Sequence, residues 1–157
     1  MKRFTDLAVL LITFIAVMAF SSHRRTEEGT DRQAVQDTTF RYADGVYEGQ
    51  SRYSYTDEPY WGKVQITVNN GLFTGIRFLI RDSNLHETFD GAYEKHFDGN
   101  PLYIQQSRND WGGVQAYPKK MMEKQDITRV DAISGATWSY NIFRASVEEA
   151  LKRAKKP

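Results

Sequence analysis

The sequence predicts an α+β fold: a twisted, mainly antiparallel sheet packed by a C-terminal helix and a shorter second helix, preceded by an N-terminal signal or membrane-anchor segment. Three observations predict it. Two runs of alternating apolar residues flank the turn Asn69-Asn70-Gly71, a helical apolar stripe occupies the end of the chain, and a basic start precedes a long apolar run. The implied organisation is a signal peptide or anchor over 1–21, a flexible tether over 22–42 and a folded domain over 43–157.

Met1-Lys2-Arg3 leads into the apolar run from Leu7 to Phe20, which is interrupted only by Thr13. A spanning helix needs about 20 apolar residues, so this shorter run fits the core of an export signal better, and an uncleaved anchor is the other form it could take. Ala19-Phe20-Ser21 offers small residues at a cleavage position, whereas Asp6 is unusual in a region that is normally basic. Ser22 to Tyr42 is charged and almost free of apolar residues, the composition of a tether.

Asp44-Gly45 opens a strand in which Tyr47, Gly49, Ser51, Tyr53 and Tyr55 share one face. Val64, Ile66 and Val68 then alternate with Lys63, Gln65 and Thr67, and Leu72, Ile76, Phe78 and Ile80 are expected on one side of the next strand. Asn and Gly tolerate positive φ, so Asn69-Asn70-Gly71 should close these two strands into an antiparallel hairpin. From Arg81 to Gly113 the chain is polar and aromatic with little periodicity, and Asp98-Gly99-Asn100-Pro101 and Gly112-Gly113 read as turns. A short helix is expected around Tyr117 to Lys124 with Pro118 in its first turn. The last helix, from about Trp138 to Lys155, places Phe143, Val147, Ala150, Leu151 and Ala154 on one stripe. Its basic residues Lys152, Arg153 and Lys155 complement the negative end of the helix dipole.

Composition narrows the chemistry. The chain has 157 residues and a net charge of +1, so no field of one sign draws in nucleic acid. It has no cysteine, which excludes disulfides, Fe–S ligation, thiolate zinc sites and c-type haem attachment. Redox chemistry would need an organic cofactor or metal ligands other than cysteine sulfur. His86, His96, Glu87, Asp90, Glu94 and Asp98 cluster in the 81–113 segment, but their spacing matches no metal-ligand pattern and they read as solvated loop residues.

Asp131-Ala132-Ile133-Ser134-Gly135-Ala136-Thr137 stands directly before the last helix. Ser134 and Gly135 are turn formers, Ala136 is small, and Thr137 falls where the first backbone N–H groups of a helix lack partners. Such a turn either holds an anion at the helix end or is a plain turn with Ser134 or Thr137 as N-cap; local physics does not choose between them or name a cofactor.

The run from Asp131 to Leu151 resembles the C-terminal signature of the FMN-binding domain family, and the resemblance extends over the Ala43 to Gly49 opening, the Lys63 to Ile80 hairpin and the Lys119 to Gln125 segment. It implies the same α+β arrangement, FMN as cofactor, and recognition of Asp-x-x-Ser-Gly-Ala-Thr by a flavin transferase that joins FMN, taken from FAD, to the final Thr through a phosphoester. The acceptor position is Thr137, with Asp131, Ser134, Gly135 and Ala136 filling the rest of the motif. Of the three tryptophans Trp61, Trp111 and Trp138, the last adjoins the acceptor and is the best placed to lie against the flavin ring. The implied function is an FMN-carrying electron-transfer module outside the cytoplasm, a carrier more than a turnover enzyme. Its partners would be the transferase and membrane or exported redox proteins, and it would touch the membrane through the N-terminal segment if uncleaved. Noncovalent FMN at the same site, a reductase using the 81–113 segment as its substrate site, and a flavin-free exported binding module are the alternatives.

Overall fold

A computed structural model describes residues 41–51 and 58–155. The signal or anchor over 1–21 and the tether up to residue 40 lie outside the described residues, as do Tyr53 and Tyr55. Strands β1 (Gly45–Gln50), β2 (Tyr60–Asn69), β3 (Leu72–Asp82) and β4 (Glu87–Thr88) form an antiparallel sheet in the order β1-β2-β3-β4. A 3₁₀ turn (Tyr93–Phe97) leads into helix α1 (Pro101–Lys124), and a second (Ile127–Arg129) precedes helix α2 (Thr137–Ala154). The α+β expectation holds. Among the described residues no helix is long and apolar enough to cross a membrane.

The β2–β3 hairpin forms where the sequence placed it. Asn70 and Gly71 have φ of 51° and 72°, the left-handed pair of a two-residue turn whose twist matches the strands it joins. Asp44 Oδ1 accepts the Gly71 N–H at 2.9 Å, tying the turn to the start of β1. Val64 and Ile66 are fully buried and Val68 nearly so, as their alternation required. On β3 the expectation fails at one position. Leu72 is exposed and its neighbour Phe73 is buried, because the register shifts at Thr67/Val68 and pairs Val68 with Phe73 but Thr67 with Gly75. The extra residue, Thr74, inverts the facing of everything before it.

The short helix expected at Tyr117 is a correction. α1 is 24 residues long, begins at Pro101 and carries Pro118 in its interior, so the end of the stretch that read as irregular, from 101 to 113, is helix. The Asp98 to Pro101 turn is its start: Gly99 has φ 81°, Asn100 is the N-cap and accepts the Tyr103 N–H, and Pro101 takes the first helical position, where a missing N–H costs nothing. Gly112-Gly113 does not break it.

α2 lies across β1 and β2, and α1 lies against β3 and α2. The predicted stripe Phe143, Val147, Ala150, Leu151 and Ala154 is buried against Val64, Ile66 and Val68, with Phe143 edge-on to Phe78 at a centroid distance of 5.0 Å. Full burial of a side chain such as Phe143 contributes roughly 1.5–3 kcal/mol. Tyr42 joins this core, packing on Phe73 and bridging to Lys155 beyond the end of α2.

β1 and α2 touch backbone to backbone at Gly49, where an added Cβ would stand 2.2 Å from the Ser146 carbonyl oxygen and 2.4 Å from the Ala150 nitrogen. Neither atom can retreat without moving the helix. Gly49→Ala should therefore lower unfolding stability by about 1–3 kcal/mol or more, the usual cost of overpacking, seen as a lower urea midpoint at unchanged slope.

Candidate functional site

The loop from Val130 to Ala136 is held from beneath by two tyrosines. Tyr117 of α1 accepts the Ile133 N–H at 3.0 Å and donates its hydroxyl to the Ala136 carbonyl at 2.8 Å. Tyr140 of α2 donates to the Val130 carbonyl at 2.7 Å. Burial raises the Tyr117 phenol above its ordinary range, which keeps that donor protonated. Gly135 turns the chain with φ 80°, and the Ala136 N–H closes the turn on the Ile133 carbonyl at 2.9 Å.

α2 then begins without a cap of its own. Its N-cap is Ala136, which has no side-chain acceptor, so the reading of Ser134 or Thr137 as N-cap is corrected. The cap comes from α1. Asp110, buried within the helix pair, accepts the Ser139 N–H at 3.0 Å and the Ser139 hydroxyl at 2.7 Å on Oδ1. Its Oδ2 accepts from Gln106 Nε2, which also donates to the Gly135 carbonyl at 2.8 Å. The two helices come close enough for this at Gly113, where a Cβ would meet Ser139 Oγ at 2.6 Å and the Ala136 methyl at 2.9 Å.

This arrangement places the motif residues clearly. Ala136 is fully buried and fixes the loop, while Asp131, Ser134, Gly135 and Thr137 are exposed. Thr137 is the first residue of α2. Beside it, Trp138 is half-buried and lines an open cleft of about 350 Å³ whose walls also include Tyr60, Phe89, Phe97 and Tyr103. Gln106, Ser107 and Asp110 border the same cleft from α1, and Glu58 from the approach to β2. The Trp138 ring stands edge-on to Tyr60 at 5.1 Å and to Phe89 at 5.2 Å, and its Nε1 donates to Glu58 at 2.8 Å. The indole is therefore oriented on both its apolar and its polar sides.

Trp61 and Trp111 do not line this cleft. Trp111 packs on the cluster of Ile80, Phe89, Tyr93, Val114 and Ile142, and Trp61 sits within β2 opposite Arg81. Two of the acidic residues of the 81–113 segment are engaged with basic side chains. Glu87 pairs with Lys95 and His96, and Glu94 with Arg108. Asp110, Gln106 and the aromatic wall were not singled out from the sequence. Gln106 and Asp110 are an i,i+4 pair, a signal that becomes visible only once this stretch is read as helix.

A family model described as the FMN-binding domain matches residues 60–152. The chain belongs to that family, and FMN is the cofactor the family binds. The crystal structure of the CPE2226 protein from Clostridium perfringens matches with a TM-score of 0.56 and 23% identity, over 72% of this chain and 88% of that one. That likeness shows a common fold. No curated protein matches the chain.

Asp110→Ala leaves the Ser139 N–H and hydroxyl without their buried acceptor and should lower stability by about 1–3 kcal/mol in urea unfolding. Gln106→Ala, which removes a more exposed amide, should cost clearly less. Equal losses would show that the carboxylate is not what closes α2.

Proposed function

We propose that the protein carries one FMN bonded through its phosphate to Thr137 Oγ and passes electrons outside the cytoplasm. The observation that carries this reading is the position of Thr137: an exposed hydroxyl at the first turn of α2, beside an open aromatic cleft. Its neighbours fit the group. A cleft of about 350 Å³ is in the range of small-molecule sites and is walled by aromatic rings suited to a flat heterocycle.

Charge favours attachment over a free phosphate. Asp110 already occupies the Ser139 N–H, so the end of α2 holds a buried anion and has less left to offer a second. A free FMN phosphate monoester carries a charge between −1.5 and −2 at neutral pH on the analogy of phosphorylated side chains, whereas a diester carries one. Noncovalent FMN is the second reading, and it meets this repulsion in full.

In the attachment step Thr137 Oγ bonds to the FMN phosphorus of FAD, the pyrophosphate P–O bond breaks, AMP leaves and the hydroxyl proton passes to solvent or to a base of the transferase. FMN supplies exchange of one or two electrons. The protein's own part is to hold and to shield. Thr137 would anchor the phosphate, Tyr117 and Asp110 would fix the loop and helix end that present it, and Trp138, Tyr60 and Phe89 would give the ring an apolar wall. The N-terminal basic and apolar segment supports placement in the cell envelope, anchored or exported, with the charged 22–42 stretch as a tether reaching membrane or exported redox partners.

Co-expression with a flavin transferase should add one FMN less one water to the intact mass and give in-gel flavin fluorescence, both lost in Thr137→Ala. A yellow protein that releases its flavin on denaturation would instead establish the noncovalent reading.

A further inference from the structure

Behind the Tyr60 wall of the cleft a chain of hydrogen bonds runs away from the site. The Tyr60 and Tyr93 hydroxyl oxygens are 3.0 Å apart and part-buried, and the Tyr93 hydroxyl donates to Asp82 Oδ2. Asp82 is buried at the end of β3, and its Oδ1 accepts the N–H groups of Asn84 at 2.7 Å and Leu85 at 3.1 Å. Every contact made to this carboxyl comes from a donor. Burial pushes the Asp82 pKa up, but the Tyr93 hydroxyl and the Leu85 and Asn84 N–H groups outweigh it and hold the pKa below its ordinary value. Burial, with these hydrogen bonds, also raises Tyr93 far above the usual phenol range, so it stays a neutral donor.

Direction follows by counting protons. A phenol has one, and Tyr93 gives its proton to Asp82, so the contact between the tyrosines is donated by Tyr60. With that proton committed, Tyr60 has only lone pairs to offer a molecule in the cleft. We infer that the Asp82–Tyr93–Tyr60 chain fixes the Tyr60 hydroxyl as a hydrogen-bond acceptor toward the cleft, where it selects the reduced form of the bound flavin ring, which bears additional N–H donors, over the oxidised form. This rests on the reading that FMN attached at Thr137 occupies the cleft. Reduction of the ring takes up two electrons and two protons from the electron donor and solvent, and converts two ring nitrogens from acceptors to donors. An acceptor on the wall matches the product of that change and opposes its starting state. Tyr60 and Tyr93 are positioning residues here, and Asp82 sets the sense of the chain.

The test is the midpoint potential of the flavinylated protein, with intact mass confirming FMN in every variant. Tyr60→Phe keeps the ring that packs on Trp138 and removes the acceptor. It should cut the preference for reduced flavin about tenfold, a potential about 30 mV more negative for a two-electron couple. In Asp82→Asn the amide oxygen keeps the Asn84 and Leu85 N–H groups, so the amide NH₂ faces Tyr93 and reverses the chain, turning Tyr60 into a donor toward the cleft. The potential should again become more negative, although loss of a negative charge alone would make it more positive. The double variant should lie at or slightly positive of Tyr60→Phe, because with the acceptor gone only the loss of the Asp82 charge remains. Tyr93→Phe, which frees the Tyr60 proton while leaving the Asp82 carboxylate in place, should shift in the same direction and serves if Asp82→Asn does not fold. An unchanged potential in Tyr60→Phe, or a positive shift in Asp82→Asn, overturns the inference. A parent protein without the added FMN mass overturns the Thr137 reading, and this inference with it.

Discussion

The contact on which the site depends is a carboxylate of one helix closing the amino end of another. α2 begins at Thr137 with Ala136 before it, and alanine has nothing to offer the first N–H groups. Asp110 of α1 supplies what is missing, and it does so from a buried position where removing either partner would leave a polar group unpaired. Borrowing the cap from another element has a structural consequence. A local cap would have placed a polar side chain on the loop; with the cap on α1, Ala136 turns fully inward and the loop is pinned through its backbone by Tyr117. The hydroxyl of Thr137 is thereby left out of the fold's own hydrogen bonding and faces solvent at a fixed place.

The sheet serves the same end at a greater distance. β2 carries Val64, Ile66 and Val68 into the core and presents Tyr60, near its start, to the cleft. α2 can lie close to β1 only because Gly49 has no side chain. The helix that packs on the sheet is also the one that begins at the end of the Asp131 to Thr137 motif, so sheet packing and site geometry are set by one rigid element. Stability and positioning are therefore coupled through α2, and damage to the β1 contact would be felt at Thr137.

What was legible in the sequence was what is local. Asn70-Gly71 predicts its turn because positive φ is a property of those two residues, and the α2 stripe is visible because Phe143, Val147, Ala150, Leu151 and Ala154 are apolar at helical spacing. α1 was hidden for the opposite reason. Its buried face runs through Ser107, Asp110, Gly113, Val114, Tyr117 and Met121, which has helical spacing but is half polar or small, so no apolar period shows. Gly113 is small because Ser139 and Ala136 approach it, a tertiary demand that reads as a turn signal when seen alone. Leu72 and Phe73 were exchanged by a bulge that alternation cannot reveal. The motif from Asp131 to Thr137 was legible as a contiguous run, whereas the cleft is assembled from residues between Glu58 and Trp138 and exists only after folding.

An open cleft and a tether by phosphate make sense together. Aromatic walls orient a flat ring and exclude water from one side of it, but a cleft open to solvent buries less of a ligand than an enclosed pocket and holds it less tightly. On the proposed reading, the bond to Thr137 raises the local concentration of the ring at the cleft far above any free pool, so the wall need only favour one pose and one redox state. Strong noncovalent binding would require closing the cleft, and closing it would remove the edge through which electrons must pass. The Asp82–Tyr93–Tyr60 chain acts within that constraint. It adds no contact area and closes nothing. It fixes the sense of one hydrogen bond from behind the wall, so potential can be tuned while the ring stays accessible.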